Sequence, residues 1–185
     1  MYKRQLLQSA HLTAAAQPAM LRAAVINDIG PVIERAGLER IKSYVGKMPD
    51  LTSWADAVAW FRATAGAHFS AIAEADWEIY ARQTFTEENG RLQWRYDPAL
   101  ARTLEGMDTN QPLPELWPQY EALAKIPLLG IRGENSDILS EETFIEMARR
   151  HPDFEAVTVP GQGHAPLLLD DPTIAKIKSF VGRIP

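Results

Sequence analysis

Two stretches near the C-terminal end decide the fold. Residues 126–140 have the sequence IPLLGIRGENSDILS, and residues 157–172 have the sequence VTVPGQGHAPLLLDDP. In each stretch a short apolar run is followed by a loop with glycine and polar residues, and a helix pattern comes next. A third apolar run, residues 23–26, closes at Asn27-Asp28-Ile29-Gly30-Pro31 and suits another buried parallel strand. This alternation predicts an α/β fold with a partial parallel sheet of about three strands and right-handed crossovers.

Helix starts follow both C-terminal strands. Ser140 is a good N-cap, and Glu141 and Glu142 favour the positive end of the helix dipole. Asp171 is predicted to cap the last helix, with Pro172 at its first position. These signals place the loops at 133–139 and 160–166 at the carboxyl ends of their strands, where open α/β sheets put their ligands and catalytic groups.

The middle of the chain has a different pattern. From Pro31 to about Gln119 the sequence is helical and aromatic, with no convincing strand before Arg91. Helices are predicted through Ile41, after the capping box that Ser53 begins, and over about residues 71–84. The turn signal at residues 89–90 precedes a possible short exposed strand at residues 92–96. We expect an inserted, mostly helical unit.

Asp137 and His164 are the leading candidates for chemistry. Each lies in a loop that follows a predicted strand, and neighbouring strands are only about 4.8 Å apart. Loops from adjacent strands can therefore bring the two side chains into contact. An aspartate that accepts the Nδ1 proton of a histidine fixes its tautomer, and the histidine can then act as general base and acid.

Other interpretations stay open for these residues. Asp137 on its own could be a turn or cap residue, and His164 a packed or surface histidine. Asp28 also follows a predicted strand, so it is the alternative acid. His11, His68 and His151 are expected to have structural roles, and no set of His, Asp and Glu has metal-ligand spacing. We predict no metal and no cofactor.

The two stretches and the final helix resemble the end of the α/β-hydrolase fold. In that family the acid follows the penultimate strand and the histidine follows the last one, which matches Asp137 and His164. Some members place the acid at the position of Asp28. The stretch AAVINDIGP, residues 23–31, resembles the strand and loop before the family's cap domain. The resemblance implies core segments at residues 1–30 and 120–185, with a helical cap or lid at residues 31–119.

The family's nucleophile motif is absent. The family carries G-x-S-x-G at a tight strand-to-helix turn. None of the seven serines of this sequence has glycines two positions away on both sides. Residues 6–21 suit the helix that follows this turn, which puts the expected nucleophile and the oxyanion-hole donors upstream of the chain. Residues 1–5, MYKRQ, resemble the foreign leader of a truncated reading frame.

The resemblance implies a hydrolase of small esters or lactones that uses a serine, with Asp137 and His164 completing the triad. An aspartate nucleophile, as in dehalogenases and epoxide hydrolases, would use the same two loops. The rival interpretation is a non-catalytic fragment, or a module that depends on a partner. The cap aromatic residues are first of all core, and some are candidates for the wall of a substrate pocket: Trp54, Trp60, Phe61, Phe69 and Trp77.

Composition excludes several other classes of protein. The net charge is −5, and no basic cluster suggests nucleic-acid binding. There are no cysteines, which excludes disulfides and thiolate chemistry and fits a cytoplasmic location. No stretch has the ~18 uninterrupted apolar residues of a membrane span. The partial sheet predicts an exposed apolar face and possible self-association.

Overall fold

In a computed structural model, the protein is described over residues 21–47, 49–102 and 113–184. Three strands, β1 (Ala24–Asn27), β4 (Leu128–Gly133) and β5 (Phe154–Val159), form a parallel sheet in the order β1-β4-β5. The predicted three-stranded parallel sheet is thereby confirmed. All six residues of β4 are buried, because it is the middle strand and is covered on both faces. Its continuous apolar sequence is the pattern that such a position requires.

Helices cover the two faces of this sheet. Helix α5 (Glu141–Arg150) packs Phe144 and Met147 against Leu128 on one face. Helix α6 (Asp171–Gly182) packs Phe180 against Leu129 on the other face. Adjacent residues of β4 therefore point into different core clusters, as the two-residue period of a strand demands.

Side-chain caps fix the N-terminal ends of α5 and α6. Ser140 caps α5 as predicted, since its Oγ accepts a hydrogen bond of 3.3 Å from the N–H of Thr143. The cap of α6 is Asp170, which accepts from the N–H of Thr173 at 2.9 Å. This moves the predicted cap from Asp171 by one residue, because the helix already begins at Asp171.

Between β1 and β4, the described residues include three longer helices: α1 (Arg35–Tyr44), α2 (Trp54–Ala65) and α3 (Asp76–Thr84). The predicted cap at Ser53 is present, because its side chain accepts from the N–H of Asp56. Helices α2 and α3 pack on an aromatic cluster that also buries Phe85 and Leu92.

An antiparallel hairpin follows α3 and corrects the prediction of no strand before Arg91. Strand β2 (Phe85–Glu88) pairs with β3 (Arg91–Trp94). Asn89 and Gly90 both have positive φ, 53° and 73°, which is the type I′ geometry that suits a two-residue hairpin. Residues 85–88 contain only one buried position, at Phe85, so their sequence lacks the repeated alternation that would identify a strand.

A short helix lies just before β4 in the chain. This helix, α4 (Trp117–Glu121), places Tyr120 in the core, where its hydroxyl donates to the Met147 carbonyl at 2.7 Å. A 3-10 turn spans Pro98–Ala101. The helix predicted at residues 6–21 lies outside the described residues, except for Leu21.

Candidate functional site

The candidate site begins at the end of β1, where Asp28 leaves the sheet. Its backbone N–H donates to the Ile131 carbonyl at 2.7 Å, and its φ is 57°. Aspartate tolerates this left-handed conformation better than most residues, and such conformations concentrate at functional sites. The turn starts directly after the last paired residue of β1, Asn27.

The carboxylate of Asp28 is fully buried, with 0% of the side chain exposed. Its Oδ1 accepts from the N–H of Gly133 at 2.8 Å. Its Oδ2 accepts from the hydroxyl of Ser136 at 2.7 Å and lies 2.7 Å from Nδ1 of His164. Because a carboxylate can only accept, the proton of this last bond belongs to Nδ1. A buried carboxylate needs such a set of donors to offset its lost hydration.

The loop after β5 delivers His164. Gly161 takes a left-handed φ of 60°, and its N–H donates to the Glu134 carboxylate at 2.7 Å. The Gln162 carbonyl accepts from the N–H of Asn135 at 2.9 Å. These bonds join the histidine loop to the loop that follows β4. The His164 side chain is 11% exposed, so the imidazole is mostly buried but still reaches the protein surface.

Gly133, the last residue of β4, makes the contact across the sheet possible. Strand β4 lies between β1 and β5, so Asp28 and His164 come from strands that are not neighbours. A Cβ at Gly133 would lie 2.4 Å from the Gln162 carbonyl oxygen and 2.6 Å from that of Gly163, closer than real Cβ atoms approach. The missing side chain lets the histidine loop close over the end of β4 toward Asp28.

Asp137 lies elsewhere, which corrects the leading sequence prediction. Its carboxylate is bound by Arg40 of α1, with Nε to Oδ2 at 2.5 Å and Nη2 to Oδ1 at 2.7 Å. Both oxygens are thus engaged by a guanidinium, and the carboxylate that reaches His164 is that of Asp28, the alternative acid. Burial raises the pKa of Asp137, but the hydrogen bonds and the positive charge of Arg40, together with smaller contributions such as that of His68, outweigh burial and hold the pKa below the ordinary 3.8.

Sequence reasoning missed Arg40 and Ser136. Arg40 is 97 positions from its partner Asp137, and Ser136 is 108 positions from Asp28. Neither pair has a local sequence signal. The signal that was available is the position of Asp28 at a strand end, in a residue type that tolerates positive φ.

The geometry of Asp28 and His164 suits general acid–base chemistry. Holding the proton on Nδ1 places the basic lone pair of the neutral imidazole on Nε2, and the carboxylate stabilises the imidazolium that forms when Nε2 takes a proton. A fully buried acid with three donors gives this orientation little freedom. The pair can therefore accept a proton from a nucleophile and return it to a leaving group.

The aromatic residues predicted as pocket walls form the core of the helical segment. Phe61, Phe69 and Trp77 are buried, and Trp54 and Trp60 are partly buried against them. Phe61 stacks on Tyr80 with ring centroids 4.1 Å apart. Burial raises the pKa of Tyr80 to about 12. Leu167, three residues after His164, packs on the same cluster, so the cluster reaches the histidine loop. Whether these rings wall a pocket stays a prediction.

The helical segment also touches the site through its backbone. The Asn135 side-chain amide donates to the His68 carbonyl at 3.2 Å, and the N–H of Ala71 donates to the Gly161 carbonyl at 3.3 Å. Within the described ranges, no group of three His, Asp or Glu side chains is arranged to hold a metal ion. No helix in the same part of the chain is long and apolar enough to cross a membrane.

Comparison with known proteins finds hydrolases. The sequence is 31% identical over 169 residues to 3-hydroxybutyrate-oligomer hydrolase of Cupriavidus necator. This alignment covers 86% of this chain and 56% of the relative. It is 30% identical over 155 residues to 2-(acetamidomethylene)succinate hydrolase of Mesorhizobium japonicum, which covers 83% of this chain and 52% of that protein. No family model matches the sequence.

Among solved structures, an alpha/beta hydrolase from Novosphingobium aromaticivorans superimposes with a TM-score of 0.86 at 37% identity. The match covers 96% of this chain and 62% of that structure. The chain thus spans about half the length of the two curated relatives, and somewhat more of the solved structure. It is homologous to hydrolases and corresponds to one part of their fold.

Proposed function

We propose that this chain, which has the α/β-hydrolase fold, carries the acid and histidine half of an active site for small esters or lactones. In this proposal His164 is the general base and acid, and Asp28 orients it. The observation that supports the proposal most directly is the 2.7 Å contact between His164 Nδ1 and the buried Asp28 carboxylate. The two residues follow β1 and β5, the strands on either side of β4.

The mechanism needs a nucleophile from a segment outside these 185 residues, because the sequence holds no G-x-S-x-G motif. His164 Nε2 takes the proton of the nucleophile as it attacks the ester carbonyl. Asp28 keeps the other ring proton on Nδ1 and stabilises the positive charge. The imidazolium then protonates the leaving alcohol. Water, activated by the same nitrogen, releases the acyl group and regenerates the site.

The substrate class rests on the relatives and on the cap. The Cupriavidus necator relative is a hydrolase of 3-hydroxybutyrate oligomers, and a hydroxy acid forms oligomers through ester bonds. We extend this chemistry to the present chain as small esters or lactones. Residues 31–119 are proposed as the cap, and its aromatic cluster as an apolar wall for the acyl part: Trp54, Trp60, Phe61, Phe69 and Trp77.

Two other possibilities remain as outcomes of the test. An aspartate nucleophile would use the same Asp28 and His164 but form an alkyl–enzyme ester, as in dehalogenases and epoxide hydrolases. The other possibility is a non-catalytic fragment, which the missing nucleophile motif favours for the isolated chain. We expect the isolated chain to show no turnover of p-nitrophenyl acetate. Turnover that His164→Ala abolishes would contradict this expectation.

A chimera tests the proposal itself. The part of the Cupriavidus necator relative that precedes its matched region is fused to this chain, and ester hydrolysis is measured. We expect activity in the chimera and a loss in kcat of about 10³–10⁴-fold for Asp28→Asn, because the imidazole then takes the wrong tautomer. Asp137→Asn is the matched control and is expected to lose less than about tenfold.

The outcomes separate the candidate acids. A folded, active chimera that tolerates Asp28→Asn but fails with Asp137→Asn would restore Asp137 as the acid. A folded chimera in which His164→Ala has no effect on activity would overturn the hydrolase proposal altogether. Trapping an acyl group or an alkyl group on the nucleophile by mass spectrometry would distinguish a serine from an aspartate nucleophile.

A further inference from the structure

Ser136 shares an oxygen of the acid with the histidine. Its hydroxyl donates to Oδ2 of Asp28 at 2.7 Å, the same atom that His164 Nδ1 approaches to 2.7 Å. The hydroxyl oxygen itself accepts from the N–H groups of Leu139 at 3.1 Å and Ile138 at 3.3 Å. With its acceptor side occupied by two donors, the hydroxyl hydrogen is directed at the carboxylate.

The loop that carries Ser136 is held by α1. Arg40 binds both carboxylate oxygens of the next residue, Asp137, at 2.5 and 2.7 Å. The N–H of Gly37 donates to the Asp137 carbonyl at 2.9 Å, and the N–H of Glu34 donates to the Ile138 carbonyl at 2.9 Å. A Cβ at Gly37 would lie 2.2 Å from the Asp137 carbonyl oxygen, so the helix and the loop are in direct backbone contact.

We infer that Ser136 is a positioning residue for His164, and that the Arg40–Asp137 pair anchors Ser136 from α1. Gly133 and Ser136 hold the two oxygens of the Asp28 carboxylate, which fixes its plane and aims Oδ2 at Nδ1 of the imidazole. Removing the hydroxyl leaves Oδ2 with one donor fewer, which makes it a stronger acceptor for the imidazole N–H. It also removes one of the two hydrogen bonds that fix the carboxylate plane, so the carboxylate can rotate about its hydrogen bond to Gly133. We hold that lost orientation outweighs gained acceptor strength, because hydrogen bonds weaken steeply with misalignment.

This inference rests on the proposed function, since it assigns a role within the same acid–histidine pair. It also assigns Asp137 a role in anchoring Ser136, in place of the role of catalytic acid that its sequence position suggested. Asp137 binds Arg40 of α1, and the adjacent Ser136 binds Asp28, which in turn contacts His164. Helix α1 is therefore linked to the imidazole through these side chains.

The test measures the tautomer of His164 by ¹⁵N nuclear magnetic resonance on the 185-residue chain in alkaline buffer. His164 is assigned by the signals that disappear in His164→Gln. The wild type is expected to have mainly the Nδ1–H form. Ser136→Ala should lower the ratio of the Nδ1–H form to the Nε2–H form by about fivefold or more, the equivalent of one hydrogen bond. Asp137→Asn should shift the ratio in the same direction by about twofold.

Two variants serve as controls. Ser136→Thr keeps the hydroxyl and should retain the wild-type ratio. Ser140→Ala removes the N-cap of α5 and destabilises the same part of the chain, but it should leave the tautomer ratio unchanged. If Ser136→Ala fails to fold, the decision passes to Ser136→Thr, which must keep the ratio, and Asp137→Asn, which must lower it.

The failure of this inference differs from the failure of the proposed function. If Asp28→Asn abolishes the Nδ1–H form while Ser136→Ala leaves it intact, Ser136 is not a positioning residue and the acid–histidine pair stands. An equal drop in Ser140→Ala would also overturn the inference, since stability alone would explain it. If the wild type lacks the Nδ1–H form, or Asp28→Asn does not change it, the pair itself is refuted.

Discussion

Replacing Asp28 by asparagine should invert the tautomer of His164. The Gly133 N–H can only donate, so it holds the asparagine oxygen at the position of Oδ1, 2.8 Å away in the wild type. The amide NH₂ then occupies the position of Oδ2 and points at His164 and Ser136. An NH₂ group can only donate, so Nδ1 must become the acceptor and the ring proton must move to Nε2. The base of the wild-type site thereby becomes a donor.

The same substitution should lower stability only moderately. Hydrogen bonds to charged groups contribute about 1.5–3 kcal/mol each, and neutral ones about 0.5–1.5 kcal/mol. Three such bonds to Asp28 are therefore weakened by about 1 kcal/mol each. Relief from burying a charge in a fully enclosed site offsets part of this loss. We expect the free energy of unfolding to fall by about 1–3 kcal/mol, and Tm to fall by about 2–12 °C for a chain of this length.

The assay pairs ¹⁵N resonance of the imidazole with urea unfolding of the same samples. Asp137→Asn is the control, because it also exchanges a carboxylate for an amide in the adjoining loop but should keep Nδ1–H as the majority form. A folded Asp28→Asn protein whose His164 still carries its proton on Nδ1 would refute the reasoning. So would an inversion produced by Asp137→Asn instead.

Three further predictions concern the surroundings of the site. Arg40→Met should destabilise the protein by about 1–2 kcal/mol at neutral pH. Because the pKa of Asp137 is lowered in the folded state, this difference should persist above its ordinary 3.8 and disappear as the pH falls below it, which urea unfolding at several pH values would show. Phe61→Ala should cost about 3–5 kcal/mol by leaving a cavity in the aromatic cluster; a loss below about 1 kcal/mol in urea unfolding would contradict the packing. Val181→Lys should reduce self-association, because Val181 and Val25 are 55% and 39% exposed along an apolar groove beside β1; sedimentation that is independent of concentration in the unmodified chain would remove the basis for this prediction.

The parallel sheet was predictable because its strands have a one-dimensional signature. The buried strand β4 needs apolar side chains on both faces, and residues 126–131 supply them without interruption. The helix caps at Ser53 and Ser140 are also local, since a side chain bonds to an N–H three residues along the chain. Such features depend on neighbours that the sequence itself displays.

The carboxylate partner of His164 was predicted wrongly, because it depends on which side chain crosses the sheet. Strand adjacency favoured Asp137, since β4 is next to β5. The contact is instead made by Asp28 over the bare backbone of Gly133, while Arg40 draws Asp137 away. The direction in which each aspartate side chain points depends on the backbone φ of Asp28 and on the distant partner Arg40 of Asp137. Neither feature has a local sequence pattern. The hairpin at Phe85 was missed because one buried position does not make a period.

The contact between Asp28 and His164 spans 136 positions of the chain. It can exist only after β1, β4 and β5 have aligned and both loops have closed over Gly133, and contacts between such distant positions carry a large loop-closure entropy. The proton on Nδ1 is thus a reporter of folding as well as of the site. Its appearance during refolding would date the completion of the sheet, whereas circular dichroism of the helices would record earlier, local events.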